Sequence, residues 1–232
     1  MSRKTIYFQH SFLFFVFLAV LLFAVVALVF IGVVSIAFEN VGFTPVTILF
    51  ILVGTLVGGF VNIPVFKLKT KTPVIRDEFV NWFGLTYRIP QVEYGQAVTV
   101  IAINVGGALI PTAVSIYLLS KSSTSTIFLC LIGILAVTLV THAVARPVKG
   151  VGIATPAFIP PIAAAVVALI LFPAQPKTIA YVAGTLGTLI GADLWNLKKI
   201  PKLGAPVASI GGAGTFDGVF LSGIIAVLIT AL

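Results

Sequence analysis

The sequence predicts an all-α membrane protein: a single polytopic helix bundle over residues 1–232, with about seven spans, the N-terminus inside and the C-terminus outside. Three observations predict this. The chain is 59% apolar and 9% charged, with a mean hydropathy of +1.20. A water-soluble domain carries roughly 45–50% apolar and about 25% charged residues. Seven apolar runs approach the roughly 20 residues that a helix needs to cross hydrocarbon. With the N-terminus inside, Arg3, Lys4, Lys67, Lys69, Lys71, Arg76, Arg88, Arg146, Lys149, Lys198, Lys199 and Lys202 fall on the inner side, and only Lys121 and Lys177 fall outside. That split, 12 against 2, follows the rule that basic residues stay on the cytoplasmic side.

The first span covers residues 12–38, which hold no charge. The basic stretch before it and a weak small-residue pattern at Ser35 and Ala37 imitate a signal peptide. An apolar core of 27 residues far exceeds the roughly 7–15 of such a signal, so the helix is expected to stay. The second span is 41–66, the third 94–119 and the fourth 126–145. The fifth, 157–174, is short, and Pro156, Pro160 and Pro161 bend the approach to it. The sixth is 178–194 and the seventh 206–232. Gly211, Gly212 and Gly214 loosen the start of the seventh, which reads as a short re-entrant piece followed by a helix. Discontinuous helices are expected around residues 106–111 and 211–218.

Residues 67–93 form a cytoplasmic amphipathic loop. Ile75, Phe79, Trp82 and Phe83 recur there at helical spacing, away from Arg76, Asp77, Glu78 and Asn81. The pattern suits an interfacial helix on the inner leaflet, or a loop with aromatic anchors.

Several functions are excluded. One cysteine, Cys130, makes no intramolecular disulfide, and there is no Cys cluster for zinc or haem. Two histidines, His10 and His142, are too few for a His-rich site, so no metal is expected. No Walker loop or dinucleotide fingerprint appears, so no nucleotide cofactor is expected either. The net charge of +8 reflects inner-side loops facing anionic lipid rather than nucleic acid.

The chain echoes itself. Gly54-Thr55-Leu56-Val57-Gly58-Gly59 matches Gly187-Thr188-Leu189-Ile190-Gly191-Ala192, and Asn104-Val105-Gly106-Gly107-Ala108 matches Ser209-Ile210-Gly211-Gly212-Ala213. The order is the same in both, which reads as a parallel internal repeat. Asp193 falls where the first copy has Phe60, and Asp217 where it has Thr112. Neither aspartate is therefore demanded by the scaffold.

An aspartate inside a bilayer is costly and marks function by default. Asp193 sits at the inner end of the sixth span and Asp217 about eleven residues into the seventh. The chain descends through one and returns through the other, so the two can meet near the inner third of the membrane. Gly212, Gly214 and Gly218 permit close backbone approach there. Two adjacent carboxylates share one proton, activate a water and protonate a leaving amine. The competing reading has Asp193 neutralised by Lys198 or Lys199, and Asp217 capping a helix. His142 and Arg146, one turn apart, can support an aspartate or guide a proton; as plain structure they are a packing residue and an interfacial anchor. Asn104 and Asn62 bond across helices or line a pathway.

Taken together, Asn104-Val105-Gly106-Gly107-Ala108-Leu109-Ile110-Pro111, Ala145-Arg146-Pro147, Gly150-Val151-Gly152-Ile153-Ala154, the run from Gly184 through Gly191-Ala192-Asp193-Leu194, and Ser209-Ile210-Gly211-Gly212-Ala213-Gly214-Thr215-Phe216-Asp217-Gly218 resemble an uncharacterised family of archaeal and bacterial integral-membrane proteins. That resemblance implies a membrane location and no assigned activity. The two aspartates are also similar to those of the presenilin and signal-peptide-peptidase families of intramembrane aspartyl proteases. In those families one aspartate lies on a descending span and the other, in a Gly-x-Gly-Asp motif, on the next returning one. Here Thr215 and Phe216 intervene between Gly212-Ala213-Gly214 and Asp217, no tyrosine precedes Asp193, and no Pro-Ala-Leu element follows.

The leading expectation is an intramembrane aspartyl protease with Asp193 and Asp217 as a catalytic dyad acting on a membrane-embedded peptide. The alternatives are a small-solute or ion transporter using the same aspartates as proton or cation sites, and a non-catalytic scaffold docking a partner through residues 67–93. The expected location is the cell membrane, with the lipid bilayer as the constant partner.

Overall fold

The computed structural model describes residues 11–82, 85–148, 152–171, 174–212 and 217–232. Among these the chain is mostly helical, with seven α-helices and five strands. The first helix, α1 (Ser11–Val41), is an unbroken run of Phe, Leu, Val and Ala. Its first two-thirds lie open: Phe12, Phe17 and Phe23 are 71%, 64% and 75% exposed, whereas Val34, Ala37 and Phe38 are fully buried. Next comes α2 (Pro45–Gly58), which starts where Thr44 accepts a hydrogen bond from the Thr47 N–H and Pro45 presets the first turn.

Two long strands follow, β1 (Asn62–Trp82) and β2 (Leu85–Asn104), paired antiparallel with Asn62 opposite Asn104. The register shifts between Pro64 and Phe66, where a proline that cannot donate suits an irregularity at a sheet edge. A π-turn at Val105–Leu109 leads into α3 (Ile110–Lys121). Then come α4 (Thr124–Val144), the short strands β3 (Arg146–Val148) and β4 (Gly152–Ala154), paired with each other, and α5 (Ile159–Ile170). The chain continues as α6 (Pro176–Thr188), a π-turn at Leu189–Asp193, a 3-10 helix at Leu194–Leu203, β5 (Val207–Ile210) and α7 (Gly218–Thr230).

Helix α6 is the centre of the bundle, packed by α4, α5, α7 and α3. Ten of its 13 residues are buried, so it is enclosed on every side. Small residues make the close packing possible. Gly187 lies against Val137 of α4, Gly184 against Ser222 of α7, and Gly223 of α7 against Tyr181. Phe38 of α1 ties the outer helix to this core, with ring centroids 5.7 Å from Tyr181 and 6.1 Å from Phe220. Below the bundle lies a sheet in the order β1-β2-β5, with β5 parallel to β2 and Val100 opposite Val207.

Two helices among the described residues, Phe12–Val41 and Thr124–Val144, are long and apolar enough to cross a membrane. Large apolar side chains also face outward on α2, α4 and α5, including Phe50, Phe128 and Ile170. An apolar exterior of this extent marks a surface covered by something other than water.

The expected all-α fold is corrected by the strands. The second span ends at Gly58 rather than 66, since the chain passes into β1. The third, expected from residue 94, is strand up to Asn104 and turns helical only at Val105. The reason is physical: an apolar run rich in Val, Ile and Thr, such as 98–103, suits a buried strand as well as a helix. The proposed interfacial helix within residues 67–93 is a β-hairpin in its described residues. Its sequence signal is the period of two in Phe66-Lys67-Leu68-Lys69-Thr70-Lys71. The start of the seventh span is strand β5, and α7 begins only at Gly218. The sixth span is helical through Thr188 and then widens into the π-turn.

Backbones meet without side chains between α2 and the turn before α3. A β-carbon on Gly106 would strike the Thr55 carbonyl and the Gly59 nitrogen. Gly106→Ala is expected to cost about 2 kcal/mol or more, read as a lower thermal midpoint of the detergent-purified chain. Gly32→Ala, where a β-carbon meets nothing within 4 Å, should leave the midpoint unchanged or raise it.

Candidate functional site

Asp193 closes the π-turn that follows α6, and Asp217 stands immediately before α7. The two line one cavity of about 170 Å³. Thr188 and Ala192 line it from the end of α6, Ser209 from β5, and Gly152 and Ile153 from β4. At roughly 30 Å³ per molecule, the cavity has room for about five waters.

The chain is shaped locally to bring them there. A π-turn adds one residue to a helical turn, a device often found at functional sites, and leaves carbonyls without their usual partners. Asn196, fully buried, satisfies two of them: its Nδ2 donates to the Ala192 carbonyl at 2.8 Å and to the Gly191 carbonyl at 3.2 Å. His142 supports the same turn from α4, with Nδ1 3.3 Å from the Gly191 carbonyl and 3.4 Å from Asn196 Nδ2. One tautomer donates to the first and the other accepts from the second. The His142 ring packs edge-on against Trp195, with centroids 5.2 Å apart. His142 therefore holds the backbone that carries Asp193 rather than touching its carboxylate. Arg146 is exposed at the start of β3.

The Asp193 carboxylate meets β5. Its Oδ2 accepts the Gly211 N–H at 2.7 Å. Among the described residues no lysine or arginine neutralises it, so pairing with Lys198 or Lys199 is not what places it there. Gly211 and Gly212 both adopt positive φ, 81° and 82°, a backbone open to glycine and strained for other residues. A β-carbon on Gly212 would occupy the position of the Asp217 carboxylate. Asp217 has the extended backbone of a helix N-cap, φ −64° and ψ 169°, and faces the first N–H groups of α7 without closing a capping hydrogen bond. Gly218 lines the cavity, with open space beside it. Gly214 lies outside the described residues.

Asn104 is separate from the carboxylates but holds their platform. It is fully buried. Its Nδ2 donates to the Gly59 carbonyl at 2.8 Å and to Asn62 Oδ1 at 3.1 Å, while its Oδ1 accepts the Gly107 N–H at 2.7 Å. Asn62 Oδ1 also accepts the Ser209 hydroxyl at 2.5 Å. This network joins the end of α2 to both strands beside the cavity.

One edge of β5 carries no partner strand among the described residues. The Val100 N–H donates to the Pro206 carbonyl at 2.9 Å. Strand periodicity then turns the N–H groups of Ala208 and Ile210 toward β2, and those of Val207, Ser209 and Gly211 away from it. The Gly211 N–H is the one that Asp193 takes. The free edge of β5 therefore runs up to a carboxylate. Sequence reasoning missed this edge, Thr188, Ser222 and Asn196; the placements of Thr188 and Asn196 are visible only once α6 and the turn after it are known to lie inside the bundle.

Fold and site together define a helix-rich chain with an apolar exterior and a pair of carboxylates at one end of its bundle. It belongs to a family of proteins of unknown function (DUF1614), whose model matches residues 56–229. The match begins within α2, ends within α7 and includes both aspartates. No curated protein and no solved structure gives a significant match.

Removing the Asn104 side chain leaves a buried N–H and carbonyl without partners, a loss of about 1–3 kcal/mol for each unsatisfied group. Asn104→Ala should lower the thermal midpoint clearly in the purified full chain. Arg146→Ala, at an exposed side chain, should not.

Proposed function

We propose that the chain is a multi-pass membrane protein whose Asp193–Asp217 pair hydrolyses a peptide bond in a membrane-embedded substrate. The observation that carries this reading is the shared cavity: two carboxylates, one after α6 and one before α7, line one space with room for several waters. The apolar exterior supports placing the seven helices across a bilayer. Lys121 and Lys177 line one cavity at the end of the bundle away from the aspartates, consistent with that end lying outside. At 1.5 Å per residue, α5 and α7 span only about 18–20 Å. Strands β4 and β5 complete the depth beside the aspartate cavity that they line, a place where irregular backbone is tolerated.

The chemistry follows from the geometry. One carboxylate, ionised, takes a proton from a cavity water as the water oxygen bonds to the substrate carbonyl carbon. The other, protonated, donates to the amide nitrogen as the C–N bond breaks. Proton and leaving group balance, and the pair ends with one proton as it began. An extended peptide can pair with the free N–H groups of Val207 and Ser209, a common mode of strand addition, which lays its backbone beside Asp193.

A second reading, proton or cation transfer by the same pair, is favoured by the buried Thr188 and Ser222 hydroxyls next to the cavity.

Incubation of the full chain in vesicles with a panel of single-span peptides, read by mass spectrometry for new termini, tests the hydrolytic reading. Wild-type protein should cut, and Asp193→Asn and Asp217→Asn should each lower the rate by about 100-fold or more. Undiminished cleavage by both variants, or no cleavage by folded wild-type protein, would defeat it.

A further inference from the structure

Thr178, Tyr181, Thr185 and Thr188 recur along α6 at intervals of three, four and three residues. That spacing keeps them on one face of the helix. All four are buried, at 8%, 0%, 0% and 2% exposure. The face looks onto α7: a β-carbon on Gly223 would strike the Thr185 hydroxyl and the Tyr181 ring, and Thr188 Oγ1 donates to Ser222 Oγ at 3.0 Å. Among the described residues the Tyr181 and Thr185 hydroxyls make no hydrogen bond. Burying hydroxyls without satisfied bonds is unfavourable, and alanine or valine would fill the same space at no such cost. Packing alone does not account for four hydroxyls on one buried face.

The series has a cavity at each end. Thr178 lines one of about 440 Å³ with Glu39, Asn40, Lys121, Gln175 and Lys177, where Lys177 Nζ donates to Asn40 Oδ1 at 2.6 Å. Thr188 lines the cavity of the two aspartates. The charged groups facing the ends are Glu39, Lys121 and Lys177 at one, and Asp193 and Asp217 at the other, among the described residues.

We infer that this hydroxyl file is a proton route through the α6–α7 interface, joining the outer cavity to the aspartate pair. The inference rests on the bilayer placement and the transfer reading proposed above, not on hydrolysis. At each step an oxygen accepts a proton from the neighbour on one side while its own O–H bond passes to the next. The last proton reaches a carboxylate and leaves to water in the inner cavity. Rotation of the hydroxyls resets the file, nothing is oxidised or reduced, and a pH difference or membrane potential drives the flow.

The test uses the full chain in phosphatidylcholine–phosphatidylglycerol vesicles with a trapped pH-sensitive dye and a potassium potential set by valinomycin. Wild-type vesicles should change internal pH at least tenfold faster than protein-free vesicles. Thr185→Val and Tyr181→Phe, which remove a hydroxyl and keep the shape, should return the rate to background, and Thr185→Ser should retain it. Flux at background with folded wild-type protein, or full flux in both Thr185→Val and Tyr181→Phe, would overturn the proposal. Peptide cleavage by Thr185→Val in detergent reads the hydrolytic reading separately: it should match wild type whatever the flux.

Discussion

The contact between Gly107 and Gly211 is the constraint on which the rest of the site depends. A β-carbon on Gly107 would overlap the Gly211 carbonyl, and one on Gly211 would strike Ala108. Bare backbone on both sides lets β5 lie parallel to β2 down to Ile210 opposite Ile103. From there each strand leaves through a glycine pair into a helix, Gly106-Gly107 toward α3 and Gly211-Gly212 toward α7. The two sequence segments that echo one another thus become two adjacent strand-to-helix passages. Only the second leads to a carboxylate, Asp217. Asn104 and Asn62 lock the arrangement by bonding across it. The Gly211 N–H is thereby delivered to Asp193, and the positive-φ turn at Gly212 leaves space for Asp217.

How much was legible varies with the competing patterns in each stretch. The expected spans at 12–38 and 126–145 correspond closely to α1 (Ser11–Val41) and α4 (Thr124–Val144). Both are long, apolar and free of internal prolines, so no alternative structure competes. The spans beginning at 94 and 206 overran into strands, because hydropathy does not distinguish a buried strand from a buried helix. The aspartates stood out as acidic residues in glycine-rich apolar surroundings. Both line one cavity, Asp193 from the turn after α6 and Asp217 from the start of α7. The Asp193 bond to Gly211 was not legible, since it spans 18 residues and depends on where β5 pairs.

The π-turn at Leu189–Asp193 shows how a helix end is adapted to present a side chain. A regular continuation of α6 would have kept the Gly191 and Ala192 carbonyls within the helical ladder. The widened turn releases them, and Asn196 collects both. Gly191 allows α4 to close on this turn, because a β-carbon there would meet the Thr138 carbonyl. His142, on the next turn of α4, then reaches the Gly191 carbonyl. The histidine and the asparagine act through the backbone of Asp193, which explains why both lie beside the site without entering the cavity.

With the bilayer placement proposed above, the brevity of α5 and α7 has a consequence for the surrounding lipid. Twelve and 13 residues fall well short of the roughly 30 Å of an average hydrocarbon layer. In a bilayer, acyl chains beside these helices must compress or splay to meet them, whereas those along the 31-residue α1 meet an overlong helix that must tilt. Such hydrophobic mismatch is asymmetric around the molecule: the side of α5 and α7 favours a thinner bilayer, while α1 meets the same thickness by tilting.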